Sequence, residues 1–220
     1  MKLLTLSLHD DRKLLNLAML LSIITIVYNL AEGALSTFFG ASDETLALFG
    51  FGADSFVEVI SGTGIAHMIW RMKRSPVEKR DGFEITALRI TGFAFYLLTF
   101  GLIAGSAIVI LTGTKPETTL AGIIISGISI ITMYFLYRTK LDVGNKLDSA
   151  PMVSDAKCTK TCFYLSFILL GSSLLYEIFG IPLVDVLGSL GIAWYAFREG
   201  REAFEKAKNG KVTCCDDHCN

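Results

Sequence analysis

Long apolar runs, separated by short polar stretches, set the organisation of this chain. A helix crossing the hydrocarbon core of a bilayer needs roughly 20 mostly apolar residues. Six stretches meet or approach that length: 14–39, 46–70, 85–111, 120–137, 151–179 and 181–197. The last apolar stretch is short, but it continues as REGREAFEKAKNG, a polar helix with a stop at Gly210. Ser149 and Pro151 suit the cap and the opening turn of the fifth helix. The pattern predicts an all-α fold, a six-helix transmembrane bundle over 14–208. An N-terminal segment, 1–13, reads as amphipathic and surface-lying, and 209–220 reads as a separate tail. In MKLLTLSLHDDRK the charges from Asp10 to Lys13 interrupt the apolar run before any cleavage-like site, so no cleavable signal peptide is expected.

Composition agrees with a membrane solvent. Of 220 residues, 52% are hydrophobic and only 19% charged, with a net charge of -1. There is no basic excess to meet nucleic-acid phosphates, which argues against a nucleic-acid partner. The distribution of charge is more telling than its sum. With six spans both termini share a side, and 19 of the 20 Lys and Arg residues fall on that side. Lys115 alone falls opposite. The positive-inside rule then places both termini in the cytoplasm, in a plasma (inner) membrane protein. On that reducing side the five cysteines are not expected to form structural disulfides, and metal ligation becomes the default for clustered thiols.

Ionisable groups deep in the spans are few and acidic: Glu32, Asp54, Glu58, Glu177 and Asp185. Such groups are costly in hydrocarbon and usually mark function. In LFGFGADSFVEVISG, Asp54 and Glu58 are four residues apart and share one helical face. Their charges repel, so without a cation at least one should hold a proton, while a divalent ion would keep both ionised. The pair is therefore suited to exchanging protons for metal. In SDAKCTKTCFYLSFILL, Cys158 and Cys162 have the same spacing. If the two faces meet, two carboxylates and two thiolates converge in a tetrahedral set suited to Zn²⁺. Thiolates would also take Cd²⁺ and disfavour Mg²⁺ and Ca²⁺. Taken alone, the cysteines could equally be inert buried thiols. A redox dithiol is a third possibility, although C-x-x-x-C lacks the C-x-x-C spacing.

These residues resemble those of the cation diffusion facilitator family, a group of six-helix divalent-metal/proton antiporters. The resemblance runs from about Leu14 to Lys206, and its most specific part is LALFGFGADSFVEV, preceded by NLAEGALSTFFG. Family text DA-x-H-x-x-x-D corresponds here to SDAKCTKTC. The family's ligands fall on Asp54, Glu58, Cys158 and Cys162. Glu replaces the usual second Asp, and two Cys replace His and Asp, which implies a softer cation. The resemblance also implies a homodimer. Glu32 stands where the family tends to have Lys or a neutral residue, and it could be a fifth ligand, a proton carrier or a structural group. The family's usual soluble domain after the sixth helix is not expected here. In its place KVTCCDDHCN puts Cys214, Cys215, His218 and Cys219 beside two aspartates, a metal-binding composition without zinc-finger spacing. Such a tail could collect or sense metal, or bind it adventitiously.

No phosphate-binding glycine loop or nucleotide motif appears, which argues against ATP-driven transport; the expectation is a transporter and not an enzyme. The leading expectation is a secondary transporter without a cofactor, exporting a divalent transition metal such as Zn²⁺ or Cd²⁺ by proton antiport. Its partners would be the metal ion, protons and the lipid bilayer. The alternatives are a membrane metal-binding or sensor protein that does not turn over, and a membrane dithiol oxidoreductase using Cys158 and Cys162.

Overall fold

A computed structural model describes the backbone of residues 2–42, 45–74, 81–113, 115 and 119–209. The chain forms six helices, with no strand among the described residues: α1 Lys2–Ser42, α2 Leu46–Met72, α3 Gly82–Thr112, α4 Leu120–Lys146, α5 Ala150–Phe179 and α6 Pro182–Asn209. The backbone of the N-terminal segment is thus continuous with α1. α4 runs past the apolar stretch that ends at 137, through a polar last turn to Lys146. Gly210 lies outside the described residues.

Local sequence explains the ends. Asp81 caps α3 in a capping box: its side chain accepts from the Glu84 amide at 2.9 Å, and Glu84 Oε2 accepts from the Asp81 amide at 3.3 Å. Gly113 and Gly180 close α3 and α5 with φ of 70° and 62°, a left-handed conformation that a Cβ would oppose. Ser149 is the N-cap residue of α5, with proline in the first turn, although its side chain makes no capping bond.

Five helices, α1 to α5, are long and apolar enough to cross a membrane. α6 is apolar only in its first half. The outward-facing side chains are large hydrophobics such as Phe93, Phe100, Leu111 and Phe135, as a hydrocarbon solvent requires. The interior adds buried serines, threonines and glycines to a hydrophobic core that includes Leu48, Phe51 and Met133. α1 packs chiefly on α2, α4 on α5 and α3 on α6, and α2 touches α1, α3, α5 and α6. Close approach depends on small residues. A Cβ on Gly52 would lie 2.6 Å from the Thr37 amide nitrogen, so α1 and α2 cross nearly backbone to backbone. The polar half of α6 buries Ala203 and Ala207, and the Phe204 ring lies over Gly92 of α3.

Candidate metal centre

The central α2 brings its acidic face toward α5. Asp54 is 3% exposed, and Cys162, at 4%, points directly at Glu58. The Cys162 thiol donates to the Glu58 carboxylate, with Sγ 2.6 Å from both Oε1 and Oε2. Asp54, one turn earlier, lies within electrostatic range of both Glu58 and Cys162. Cys158, one turn before Cys162, lines a cavity of about 40 Å³ that Glu58 also lines. The structure therefore brings Glu58 and Cys162 into contact and Glu58 and Cys158 to one cavity. Among the described residues, no three donor atoms of Asp54, Glu58, Cys158 and Cys162 gather as closely as the His67 group described below.

A second layer comes from α1. Asn29 donates to Glu58 Oε2 at 2.8 Å. Glu32, 5% exposed, accepts from the Tyr28 hydroxyl at 2.9 Å and from the Ser55 hydroxyl at 3.1 Å. These bonds join Glu32 to the same α1–α2 face as Glu58 without placing it on the cavity lining. Asn29 Oδ1 and Ser22 Oγ are buried without a hydrogen-bond partner, and both residues line the cavity. A buried polar oxygen left unpaired is costly. Two of them beside a carboxylate and a thiol form a donor set that fits a cation: oxygen and sulfur ligands in a space large enough for one small ion or water.

Four contributors, Lys140, Asp155, Asn29 and Glu199, escaped the sequence reading. Lys140 of α4, one of the 19 basic residues assigned to the side of the termini, is 3% exposed and turned inward. Its ammonium lies 3.1 Å from Asp155 Oδ2 and donates to the Thr159 hydroxyl at 3.0 Å. Lys140, Asp155 and Thr159 all line the cavity. Asp155 stands three residues before Cys158, so it shares the cysteine face, and that spacing was the available signal. Asn29 is the first residue of the NLAEG text, and its role depends on where α1 crosses α2. Glu199 of α6 accepts from the Thr161 hydroxyl at 3.1 Å and lies within electrostatic range of Asp54 and Glu58.

Other candidate groups have different occupations. His67, Asp81 and Glu84 bring one donor atom each within 4.8 Å of one another at the α2–α3 end. Arg71 already pairs with Glu84 Oε1 at 2.7 Å, and the same two acids form the capping box. Asp185 accepts from the Leu46 and Ala47 amides at 3.0 and 3.3 Å, and Glu177 from the Thr119 amide at 2.7 Å. Both acids therefore satisfy helix N-termini. Cys214, Cys215, His218 and Cys219 lie outside the described residues.

Comparison with known proteins agrees with this architecture. The family model described as the cation efflux transmembrane domain matches residues 18–208. The magnetosome protein MamB of Magnetospirillum gryphiswaldense is 21% identical over 177 residues, which are 78% of this chain and 59% of that protein. The chain thus spans well under two thirds of the length of the curated relative it matches.

Proposed function

The chain belongs to the cation efflux family, and from that premise we propose that it is a secondary transporter exporting a divalent transition metal, Zn²⁺ or Cd²⁺, from the cytoplasm in exchange for protons. The observation that carries this reading is the Cys162–Glu58 contact beside the cavity that Cys158 lines. In that contact a thiol proton lies between sulfur and carboxylate, where a metal ion would otherwise hold both as anions. Entry of the metal displaces the proton; return of the proton on the far side releases the metal. Asp54 and Glu58 supply oxygen, Cys158 and Cys162 supply soft sulfur, and Asn29 orients the Glu58 carboxylate. Alternation of access would follow from movement of α2 and α5 against their neighbours.

The finer assignments follow from charge and composition. Both termini face the cytoplasm of a plasma-membrane protein, in accord with the Lys and Arg distribution. Glu32 is a proton carrier connected to the site through Ser55 of α2 rather than a ligand. The tail from Cys214 to Cys219 gathers metal at the cytoplasmic mouth, and the protein works as a homodimer. Residues 14–208 act as the transport unit.

The test is uptake into proteoliposomes. The native chain is expected to move Cd²⁺ or Zn²⁺ when a pH gradient is imposed, and Glu58→Gln to lose at least about a hundredfold in rate. Metal affinity is expected to fall as pH falls, about tenfold per pH unit for each proton displaced, because protons and metal compete for the same atoms. Tight, pH-independent binding without movement of ion would instead describe a storage or sensor protein.

A further inference from the structure

The cavity beside the candidate metal centre contains a cation that belongs to the protein. Lys140 extends inward from α4 and ends between Asp155 Oδ2, at 3.1 Å, and Thr159 Oγ1, at 3.0 Å. Burial of a lysine is expensive, and burial of its ion pair is at best near neutral for stability compared with apolar packing. Such a pair gains no obvious advantage from being placed where apolar residues would serve. Its position gives it a different use. The cavity that it lines is also lined by Glu58 and Cys158. Asp155, Cys158 and Cys162 follow one another at intervals of three and four, on a single face of α5. Asp155 is thus a third potential ligand of α5, held by an ammonium instead of by metal.

We propose that Lys140 is a tethered counter-cation that withholds Asp155 from the transported ion and sets how tightly the site binds it. The inference rests on the transporter reading above. Without the ammonium, a divalent ion in the cavity would meet one more carboxylate and one fewer positive charge. Both changes tighten binding, and overly tight binding slows release. Without Asp155, the ammonium would be left unpaired beside the site and would repel the ion. The two deletions should therefore change affinity in opposite directions. A pair that merely holds α4 to α5 would not behave this way, since loss of either partner would loosen the site and weaken binding.

The experiment is isothermal titration with Cd²⁺ of the full-length chain purified in detergent, at fixed pH. Cys214, Cys215 and Cys219 are replaced by serine in every protein compared, so that the tail does not report. Lys140→Gln is expected to lower the Cd²⁺ Kd by tenfold or more, and Asp155→Asn to raise it by a similar factor. Lys140→Arg should remain near the native value, because it keeps the charge. The double variant Lys140→Gln/Asp155→Asn leaves no unpaired charge, so it remains informative where a single variant does not fold. Its Kd should fall within about threefold of native. Weaker binding in both single variants, or a tenfold loss in the double variant, overturns the role given to Lys140 while leaving the transporter reading intact. A native chain that takes up no Cd²⁺ and no Zn²⁺ overturns the transporter reading, and this inference with it.

Discussion

Acids with structural partners occur at two levels of this bundle, and their partners differ. At the end where α1 turns into α2 and α5 into α6, Asp185 and Glu177 accept backbone amides that begin neighbouring helices. Deeper in the bundle, Glu58 bonds to a thiol and a carboxamide and faces a cavity. Asp54 and Glu32 lie close by, with serine and tyrosine partners for Glu32. The same side-chain chemistry therefore does two jobs. An acid on a helix N-terminus satisfies amides that the helix itself leaves without an acceptor. An acid with a thiol partner that can itself lose a proton, beside a space an ion could enter, has the features of the proposed exchange site. The partner, and not the acid, distinguishes them.

The sharpest way to break this comparison is to remove one acid of each kind. Asp54→Asn is expected to abolish measurable Cd²⁺ binding at the centre, a loss of at least about a hundredfold, with the melting midpoint unchanged or raised. Raised stability is reasonable because a buried acid with acidic neighbours is replaced by a neutral amide. Asp185→Ala should do the reverse. It removes the acceptor for two amides at the start of α2 and should cost about 1 kcal/mol, read as a melting midpoint lower by about 2–4 °C. Its Cd²⁺ affinity should stay within about threefold of native. Equal loss of affinity in both variants would erase the distinction between the two levels.

A smaller effect separates sulfur from oxygen at the same site. Replacing Cys158 and Cys162 by serine keeps the size of the cavity and its acids but removes the soft donors. Cd²⁺ affinity should fall about 10–100-fold, whereas Mn²⁺ affinity should change by less than about threefold, since Mn²⁺ favours oxygen ligands. Isothermal titration with both ions reads the ratio directly. Parallel losses for the two ions would reduce the thiols to packing groups that shape the pocket.

How far the chain could be read without coordinates follows the same division. The helices were legible, because an apolar run of membrane length admits few other structures and because Ser149 and Pro151 mark the start of the fifth; the ends at Asp81, Gly113 and Gly180 came from the structure. The 3.6-residue period also put Asp54 with Glu58 and Cys158 with Cys162. Contacts between helices far apart in sequence were not legible. Nothing in the text near Lys140 states that it turns inward to Asp155, and by the usual rule a lysine near a helix end is a headgroup contact. Asn29 and Glu199 are similar cases, since each reaches the centre only through the register at which α1 and α6 cross α2 and α5. The acids Asp185 and Glu177 are a further case: the sequence placed them in the spans, and only the positions of the α2 and α4 starts assign them to helix amides.

The His67, Asp81 and Glu84 group tests how far proximity alone can be trusted. Its three donor atoms lie closer together than those of the deeper site, so by distance it is the better metal cluster. Its partners argue otherwise. Arg71 lies 2.7 Å from Glu84 and 3.5 Å from Asp81, supplying the positive charge a cation would bring. Both acids are also engaged in the α3 capping box. A cation would have to displace a guanidinium and open the start of a helix. Asp81→Ala should therefore act as loss of an N-cap, costing about 1 kcal/mol. Metal affinity of the whole chain should be unchanged within experimental scatter, and the number of ions bound should not fall. A drop of one ion per chain on titration would show that this cluster, despite its arginine, competes for metal. The criterion drawn from the two levels would then fail at the α2–α3 end, where water can rearrange to receive the displaced side chain.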